Sequence, residues 1–296
     1  MTRIDRVLIC ALVLSLPLAS ACRRKQENLP PVATAAVGFN HPKAPLGSPL
    51  DVTYKFTVAA NAPAFGQDYW VMVHFLDADQ ELMWTDDHVP AIPTSQWKPG
   101  QVIEYKRTLF VPVYPYIGVA TVQMGLYSPK DGKRLTLTGD DNGQRAYKVG
   151  TLTLLPSAEN VFVMFKDGWN SQEVAPDNAT VQWQWTKKIA VLAFRNPKRE
   201  STLYLQADNP GTTFTEQQSV QVQVNGQTVD TVTITPKHEI IHRTQIPAAA
   251  LGTGDMAEVR LVVDKTFVPA LMPGSNNRDN RELGIRVFHA FIEPRP

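Results

Sequence analysis

The sequence has little cysteine, no excess of either charge and little sign of helix. Its only two cysteines are Cys10 and Cys22, so a disulfide-stabilised fold and a catalytic thiol in the body of the protein are excluded. The formal net charge of +1 gives no sign of a basic surface for nucleic acid. Beyond the N-terminal region no long segment shows capped helical periodicity, which argues against an α/β enzyme scaffold.

The N-terminus has the layout of a secretory signal peptide. Arg3 and Arg6 precede an apolar run over residues 7–18, and small residues at 19–21 precede Cys22. The apolar run is shorter than the roughly 20 residues that a membrane-spanning helix needs. The pattern predicts a signal peptide over residues 1–21. An ordinary secreted protein with a chance cysteine is the alternative.

The segment Leu18-Ala19-Ser20-Ala21-Cys22 resembles the lipobox of bacterial lipoproteins. The resemblance implies that Cys22 carries diacylglycerol and a further acyl chain such as palmitate, which makes the membrane a partner. Each buried methylene contributes about 0.8 kcal/mol to such an anchor. Arg23 follows the cysteine where aspartate would signal retention at the inner membrane, so the outer membrane of the cell envelope is the expected location.

The remaining chain predicts an all-β protein with two antiparallel β-sandwich domains in tandem. Residues 22–48 begin with a polar run and contain several prolines, so they predict a flexible tether. From residue 49 on, short runs with period-two alternation recur between turn residues. They predict sandwiches over residues 49–156 and 157–296, the first of them immunoglobulin-like.

The individual strands can be placed from these runs. Asn225-Gly226 is the strongest hairpin signal in the chain. The predicted strands cover residues 50–59, 69–77, 102–111, 119–127, 133–137, 146–155, 161–165, 179–185, 188–195, 201–207, 219–224, 228–235, 239–246, 257–263 and 283–292.

Two motifs raise the question of a metal site. His238, Glu239 and His242 match the zinc metalloprotease pattern, which works when a helix brings both imidazoles to one ion. The alternation around them predicts a strand, on which residues four apart lie roughly 13 Å apart. The turn at residues 139–143 contains Asp140 and Asp141, which could bind calcium but are also ordinary turn residues. We expect no metal or other cofactor.

Aromatic and acidic residues offer a better indication of ligand binding. Trp84 and Trp97 bracket a proline-rich and acidic loop that contains Asp86, Asp87 and His88. Tryptophan faces flanked by carboxylates can form a saccharide platform, and loops often carry binding residues. Trp169 is a further candidate. Trp183 and Trp185 share a strand face, and burial in the core is expected for both.

Several motifs are similar to modules of bacterial envelope proteins. Over residues 158–296 the sequence resembles an uncharacterised β-sandwich module associated with surface-glycan assembly and membrane glycosyltransferases. The first half resembles an immunoglobulin-like accessory domain found with it. The second-half motifs are Gly168-Trp169, Glu173, Trp185-Thr186 and Asp279-x-Arg281-x-Leu283-Gly284; those of the first half are Asp86-Asp87-His88, Pro93-Thr94, Trp97-x-Pro99-Gly100, Gly125-Leu126-Tyr127 and Gly132-x-Arg134-Leu135.

One of these motifs has a physical interpretation. Asp279 and Arg281 are predicted to form an ion pair that fixes the loop before the last strand, while Gly284 permits a close backbone approach. The leading hypothesis is a non-enzymatic, lipid-anchored envelope protein that binds or scaffolds, with a glycan or another envelope protein as partner. A structural subunit of an envelope assembly and a zinc hydrolase using residues 238–242 are the alternatives.

Overall fold

A computed structural model describes residues 29–295. The predicted signal peptide and Cys22 lie outside the described residues. From Pro31 onward the chain forms one compact unit built almost entirely of β-strands. The predicted all-β fold with antiparallel sandwiches is confirmed. Within residues 29–295 no helix is both long enough and apolar enough to span a bilayer.

The first sandwich is formed by ten strands. They are β1 (Ala33–Phe39), β2 (Lys43–Pro45), β3 (Pro49–Val58), β4 (Trp70–Leu76), β5 (Leu82–Thr85), β6 (Val102–Phe110), β7 (Gly118–Tyr127), β8 (Leu137–Thr138), β9 (Asp140–Asp141) and β10 (Tyr147–Leu155). One sheet has the order β6-β3-β1-β8, and the other has the order β2-β10-β7-β4-β5 with β9 paired to β10.

Alternation along the strands places the core of the first sandwich between its two sheets. On β3 the side chains of Val52, Tyr54 and Phe56 are fully buried, and on β4 those of Val71 and Val73 are. Burying one such apolar side chain contributes about 1.5–3 kcal/mol. The opposite face of β3 carries the more exposed polar residues Asp51, Thr53, Lys55 and Thr57.

The second sandwich has two five-stranded sheets. Its strands are β11 (Val163–Phe165), β12 (Glu173–Ala175), β13 (Asn178–Trp185), β14 (Ile189–Arg195), β15 (Ser201–Asp208), β16 (Gln218–Val224), β17 (Gln227–Ile234), β18 (Ile240–Ile246), β19 (Met256–Val263) and β20 (Arg286–Pro294), with one short helix, α1 (Ala248–Leu251). The sheet orders are β11-β14-β19-β16-β17 and β12-β13-β20-β15-β18.

The hairpin between β16 and β17 forms at the predicted dipeptide. Asn225 and Gly226 have φ angles of 50° and 79°, the left-handed region that a tight two-residue hairpin turn requires. The turn sets the register of the pair, which places Val220 opposite Val232. Both of these valines are buried in the second core.

The tether predicted over residues 22–48 extends too far along the chain, because the first strand begins at Ala33. Residues 33–39 form β1, which pairs with β3 along its whole length, and residues 43–45 form β2 beside β10. The first sandwich therefore begins near residue 32 and not at residue 49. The alanines and glycine of β1 have weak strand propensity, but β3 supplies hydrogen-bond partners and the core covers Ala33.

Some strands differ from the prediction in smaller ways. The strand predicted over residues 133–137 shrinks to β8, because the preceding residues form a turn in which Lys133 accepts the backbone N–H of Ser128 at 2.9 Å. The strands β5 and β12 are short edge strands that the alternation did not reveal.

The two sandwiches meet at a polar and aromatic junction. The guanidinium of Arg243 donates to the carboxylate of Asp51 and, at 2.6 Å, to Thr108 Oγ1. The rings of Phe110 and His289 stack with centroids 4.6 Å apart. These contacts come from the β3 and β6 ends that contain Pro49 and Phe110, so the opposite end of the first sandwich faces away from the second.

Candidate functional site

The structure places Trp97 in the core and not at a binding surface. Its side chain is 4% exposed and packs against Phe56 with ring centroids 5.1 Å apart. The indole N–H donates to the carbonyl of Ile92 at 2.8 Å. Its ring therefore has no face on which a sugar could stack, and the expectation of a ligand there is corrected: Trp97 anchors the loop.

Trp84 also has a packing role. It lies on β5 opposite Phe75, and the two rings stack with centroids 4.4 Å apart and planes 12° from parallel. Phe75 is fully buried, so Trp84 covers the core at a sheet edge. The face of the Trp84 ring that stacks on Phe75 is therefore not available to a ligand.

Asp86 is tied to the opposite sheet by hydrogen bonds. Its carboxylate accepts the hydroxyl of Tyr54 at 2.7 Å and two guanidinium N–H groups of Arg107 at 3.1 and 2.9 Å. Burial and the Asp86 carboxylate together raise the pKa of Tyr54 far above its ordinary value. The residue therefore links β3 and β6 to the segment that follows β5.

His88 belongs to the same buried network. Its Nδ1 lies 2.6 Å from the carbonyl oxygen of Asp86, and its Nε2 lies 2.7 Å from the hydroxyl of Tyr105. Burial lowers the pKa of His88, although the Asp86 carbonyl and carboxylate oppose that shift. With both ring nitrogens engaged and the side chain buried, His88 offers nothing to a ligand, which corrects its prediction as a binding residue.

Asp87 points the other way, toward the outer face of the second sheet. Its Oδ1 accepts the backbone N–H of Val73 at 2.9 Å, and the same oxygen lies 3.8 Å from His74 Nε2. Both side chains are partly exposed. The acidic pair of the predicted loop is thus divided, with Asp86 inside and Asp87 on the surface.

The outer face beside Asp87 carries an exposed aromatic pair. Trp70 begins β4 and lies directly opposite Tyr127 on β7. The Trp70 side chain is 38% exposed, and the two rings meet edge to face with centroids 6.3 Å apart and planes at 62°. Trp70 and Tyr127 provide the apolar surface on which a sugar ring could pack.

Polar groups surround this pair. Asp87 supplies a hydrogen-bond acceptor, and burial together with that carboxylate, to which the Tyr127 hydroxyl donates, raises the pKa of Tyr127. Burial lowers the pKa of His74, with Asp87 opposing the shift. His74 is therefore a largely neutral donor and acceptor near pH 7.

Arg134 completes the group. Residue 134 forms a backbone bridge with Tyr127, and its Nη1 donates to the carbonyl of Gln144 at 2.9 Å. Its positive charge acts on both Tyr127 and His74 and disfavours protonation of the imidazole. The platform, as we name it, consists of Trp70, His74, Asp87, Tyr127 and Arg134.

The platform combines the groups that recognise a hydroxyl-rich ring. Two aromatic side chains give apolar contact, Asp87 accepts hydrogen bonds, and the guanidinium of Arg134 donates them. Sequence reasoning found Asp87 but missed Trp70, which lies inside the strand predicted over residues 69–77 and gave no separate signal. The cross-strand pairing of Trp70 with Tyr127, not the sequence spacing, brings these side chains together.

Trp169 lies apart from the platform, in the second sandwich. Its indole N–H donates to the carbonyl of Val191 at 2.8 Å, and its ring packs against Phe165 at 4.6 Å. Trp185 is buried, as predicted, whereas Trp183 is half-buried with the guanidinium of Arg286 4.9 Å from its ring centroid. The tryptophans therefore do not converge on one site.

The ion pair in front of the last strand forms in the structure. Arg281 Nε and Nη2 donate to the carboxylate of Asp279 at 2.9 and 2.7 Å, and Nη1 donates to Glu173 at 2.6 Å. These bonds raise the pKa of Arg281 above its ordinary value. Gly284 passes so close to Thr186 that an added Cβ would collide with its side chain. The motif fixes the loop against β12.

The metalloprotease-like segment forms a strand. Ile240–Ile246 is β18, so the helix that the zinc pattern requires is not formed. His242 Nε2 lies 2.8 Å from Asp230 Oδ2, which also accepts Thr244 Oγ1 at 2.8 Å. Across residues 29–295 no group of three or more His, Cys, Asp or Glu side chains is placed to hold a metal ion.

The acidic turn over residues 139–143 is occupied by its own backbone. Asp141 Oδ1 accepts the backbone N–H groups of Gly143 and Gln144 at 2.9 and 3.1 Å. Asp140 and Asp141 form β9 and pair with β10. The turn thus has the ordinary hydrogen bonding of an aspartate turn.

The chain matches no family model, and a search of curated proteins gives no similar sequence. Matches among solved structures include the CBM51-2 and INT domains of Clostridium perfringens ZmpB, at 10% identity and a TM-score of 0.24, covering 62% of this chain and 38% of that one. The N-terminal CBM22-1-CBM22-2 tandem domain of Paenibacillus barcinonensis Xyn10C is 10% identical with a TM-score of 0.27, over 84% of this chain and 80% of that one. The collagen adhesin of S. aureus is 9% identical with a TM-score of 0.17, over 89% and 96%. Carbohydrate-binding modules are thus among the similar structures, but similarities of this size transfer no function.

Proposed function

We propose that this protein is a non-enzymatic, lipid-anchored component of the bacterial cell envelope that binds a glycan through the platform of the first sandwich. The observation that carries the binding part is the exposed Trp70 ring paired with Tyr127 and flanked by Asp87. The anchor rests on the sequence of residues 18–22.

The geometry of the platform favours a saccharide over a purely apolar ligand. Trp70 and Tyr127 present a small apolar surface, and the carboxylate of Asp87 and the charge of Arg134 both act on Tyr127, with the imidazole of His74 beside Asp87. Sugars expose apolar C–H faces and hydroxyl groups at the same time, so they satisfy both kinds of group. An apolar ligand would leave Asp87 and Arg134 without new partners.

The arrangement supports binding rather than hydrolysis. Glycoside hydrolysis uses two carboxyl groups on either side of the bond that is cut. The platform offers the carboxylate of Asp87, while the neighbouring carboxylate of Asp86 is engaged by Tyr54 and Arg107. In the second sandwich His242 lies on a strand and contacts Asp230, which disfavours the zinc hydrolase alternative.

A glycan array of bacterial surface polysaccharides tests the binding proposal. The purified full chain is expected to retain a subset of glycans, and Trp70→Ala is expected to weaken that binding at least about tenfold, because stacked aromatic contacts dominate such interfaces. Asp87→Asn, which keeps the side-chain size, should weaken binding by a smaller factor.

Phe162→Ala is the matched control. Phe162 is an aromatic residue of the second sandwich that is 78% exposed, so its loss should leave platform binding unchanged. Silence of the wild-type chain on the array, or equal binding by wild type and Trp70→Ala, would contradict the glycan proposal and favour a structural subunit.

The anchor is tested separately. Cells grown with an alkyne analogue of palmitate should label the wild-type protein, and Cys22→Ser should abolish the label. Density-gradient separation of membranes should place the labelled protein in the outer-membrane fraction. A wild-type protein that takes up no label would overturn the anchor and leave the glycan proposal standing.

A further inference from the structure

The chain enters the first sandwich at the end that faces away from the second sandwich. Ala33, the first residue of β1, pairs with Val58, and Val102 at the start of β6 pairs with Thr57. The contacts to the second sandwich are made at the other end, by Asp51 and Phe110. The end that contains Ala33 is therefore the one nearest in sequence to Cys22.

An exposed apolar loop lies at this same end. Residues 89–93, Val-Pro-Ala-Ile-Pro, carry no charge, and Val89 and Ile92 are 52% and 37% exposed. We name these residues the apolar loop. They follow directly on His88, whose backbone pairs with Val71 next to Trp70. Single exposed aliphatic residues are common on protein surfaces, but neighbouring ones in an uncharged loop indicate an interaction site.

The apolar loop is held in its exposed position. On its N-terminal side, backbone hydrogen bonds of 2.8 and 3.0 Å join His88 to Val71. On its C-terminal side, the carbonyl of Ile92 accepts the indole N–H of the buried Trp97. Two prolines further restrict the backbone. The side chains of Val89 and Ile92 thus project from a fixed loop, so little conformational entropy is lost when a partner covers them.

The length of the chain before this end limits its distance from a lipid on Cys22. Eight residues lie between Cys22 and Pro31, where the compact unit begins, so nine Cα-to-Cα steps join the two. A fully extended chain spans at most about 3.3–3.6 Å per residue, which gives a maximum of roughly 30 Å. This maximum distance from Cys22 to Pro31 is about the length of one nine-residue strand. Because the lipid on Cys22 lies in the bilayer, the entry end of the first sandwich stays close to the bilayer surface.

We propose that the apolar loop rests on the bilayer surface, with Val89 and Ile92 in the interfacial region. This inference rests on the lipid anchor of the proposed function and not on glycan binding. Lys98, at the same end, is exposed and forms no ion pair within residues 29–295, so its ammonium is available to lipid phosphates. The carboxylate of Asp68 nearby accepts the backbone N–H of Ser95.

The test uses the full lipoprotein reconstituted into vesicles of phosphatidylethanolamine and phosphatidylglycerol. Because the other cysteines are Cys10, in the predicted signal peptide, and the lipid-bearing Cys22, Ile92→Cys provides one free thiol for an environment-sensitive fluorophore. Leu271→Cys is the matched control, since Leu271 is an aliphatic residue of the second sandwich that is 78% exposed. Far-UV circular dichroism verifies that both variants fold like the wild type.

Spin-labelled lipids in the vesicles should quench the fluorophore at position 92 at least about twofold and leave the one at position 271 unaffected. Flotation of the protein with the vesicles measures membrane anchoring independently of the quenching. Protein that floats with the vesicles but is unquenched at position 92 would overturn the contact while leaving the anchor intact. Equal quenching at both positions would also overturn it. Protein that does not float would overturn the anchor, and with it the contact.

Discussion

Replacing Asp86 with alanine should lower the free energy of unfolding of the first sandwich by about 1–4 kcal/mol. The substitution leaves the buried hydroxyl of Tyr54 without its acceptor at 2.7 Å, which costs roughly 1–3 kcal/mol. The lost ion pair with Arg107 adds less than about 1 kcal/mol, because the Arg107 side chain is 40% exposed and its charge is screened by solvent.

Urea denaturation followed by far-UV circular dichroism measures this loss. A double-mutant cycle with Tyr54→Phe isolates the hydrogen bond: once the hydroxyl is gone, Asp86→Ala should cost less by about 1 kcal/mol. Asp131→Ala serves as the control, since Asp131 pairs with Lys133 at 3.3 Å on the exposed surface of the same sandwich. It should leave the urea midpoint unchanged.

Two results would refute this reasoning. An Asp86→Ala protein within about 0.5 kcal/mol of the wild type would mean that the network does not stabilise the sandwich. Strict additivity of the Tyr54 and Asp86 substitutions would mean that the two side chains are not coupled. Asp87→Ala, one residue along the chain, should instead affect glycan binding more than stability.

Three further substitutions separate packing, backbone geometry and protonation. Trp97→Ala should lower the free energy of unfolding by about 3–5 kcal/mol in urea denaturation, because it leaves a cavity at a buried site. A loss below about 0.5 kcal/mol, which is usual for an exposed residue, would contradict the burial of Trp97. Gly168→Ala should prevent accumulation of folded protein, as measured by soluble yield and circular dichroism, because Gly168 has φ of 80° and an added Cβ would collide with the carbonyl of Ile189; normal yield would contradict that geometry. Burial lowers the pKa of His88 below its ordinary 6.5, so the unfolded chain takes up the proton more readily and stability should fall as the pH drops below about 6.5. Urea midpoints at neutral and mildly acidic pH should show a shallower dependence for His88→Gln, and an identical slope would exclude His88 as a contributor.

Much of the strand pattern could be predicted from local sequence. Period-two alternation located β3 and β10 almost to the residue, because their successive side chains alternate between the core and more exposed positions. The dipeptide Asn225-Gly226 fixed its hairpin because both residues tolerate positive φ. These features depend on neighbours within a few residues, which the sequence displays directly.

The strand β1 shows where local pattern fails. Residues 33–39 are rich in alanine and contain a glycine, so their intrinsic preference for a strand is weak. They become a strand because β3 pairs with every one of them and β8 pairs with the first two. Partners that lie 13 to 104 residues away in sequence supply the stabilisation. The segment itself therefore keeps a composition that is typical of a linker.

The sequence by itself determined the all-β class and the positions of the long strands, since each is a pattern of adjacent residues. Only the tertiary structure decided the fate of the aromatic and acidic side chains. Asp86 and Asp87 are neighbours with the same chemistry, yet one faces Tyr54 between the sheets and the other faces His74 on the surface. Trp97 is buried and Trp70 is exposed, because pairing and packing across the sandwich, not residue type, decide which ring meets solvent.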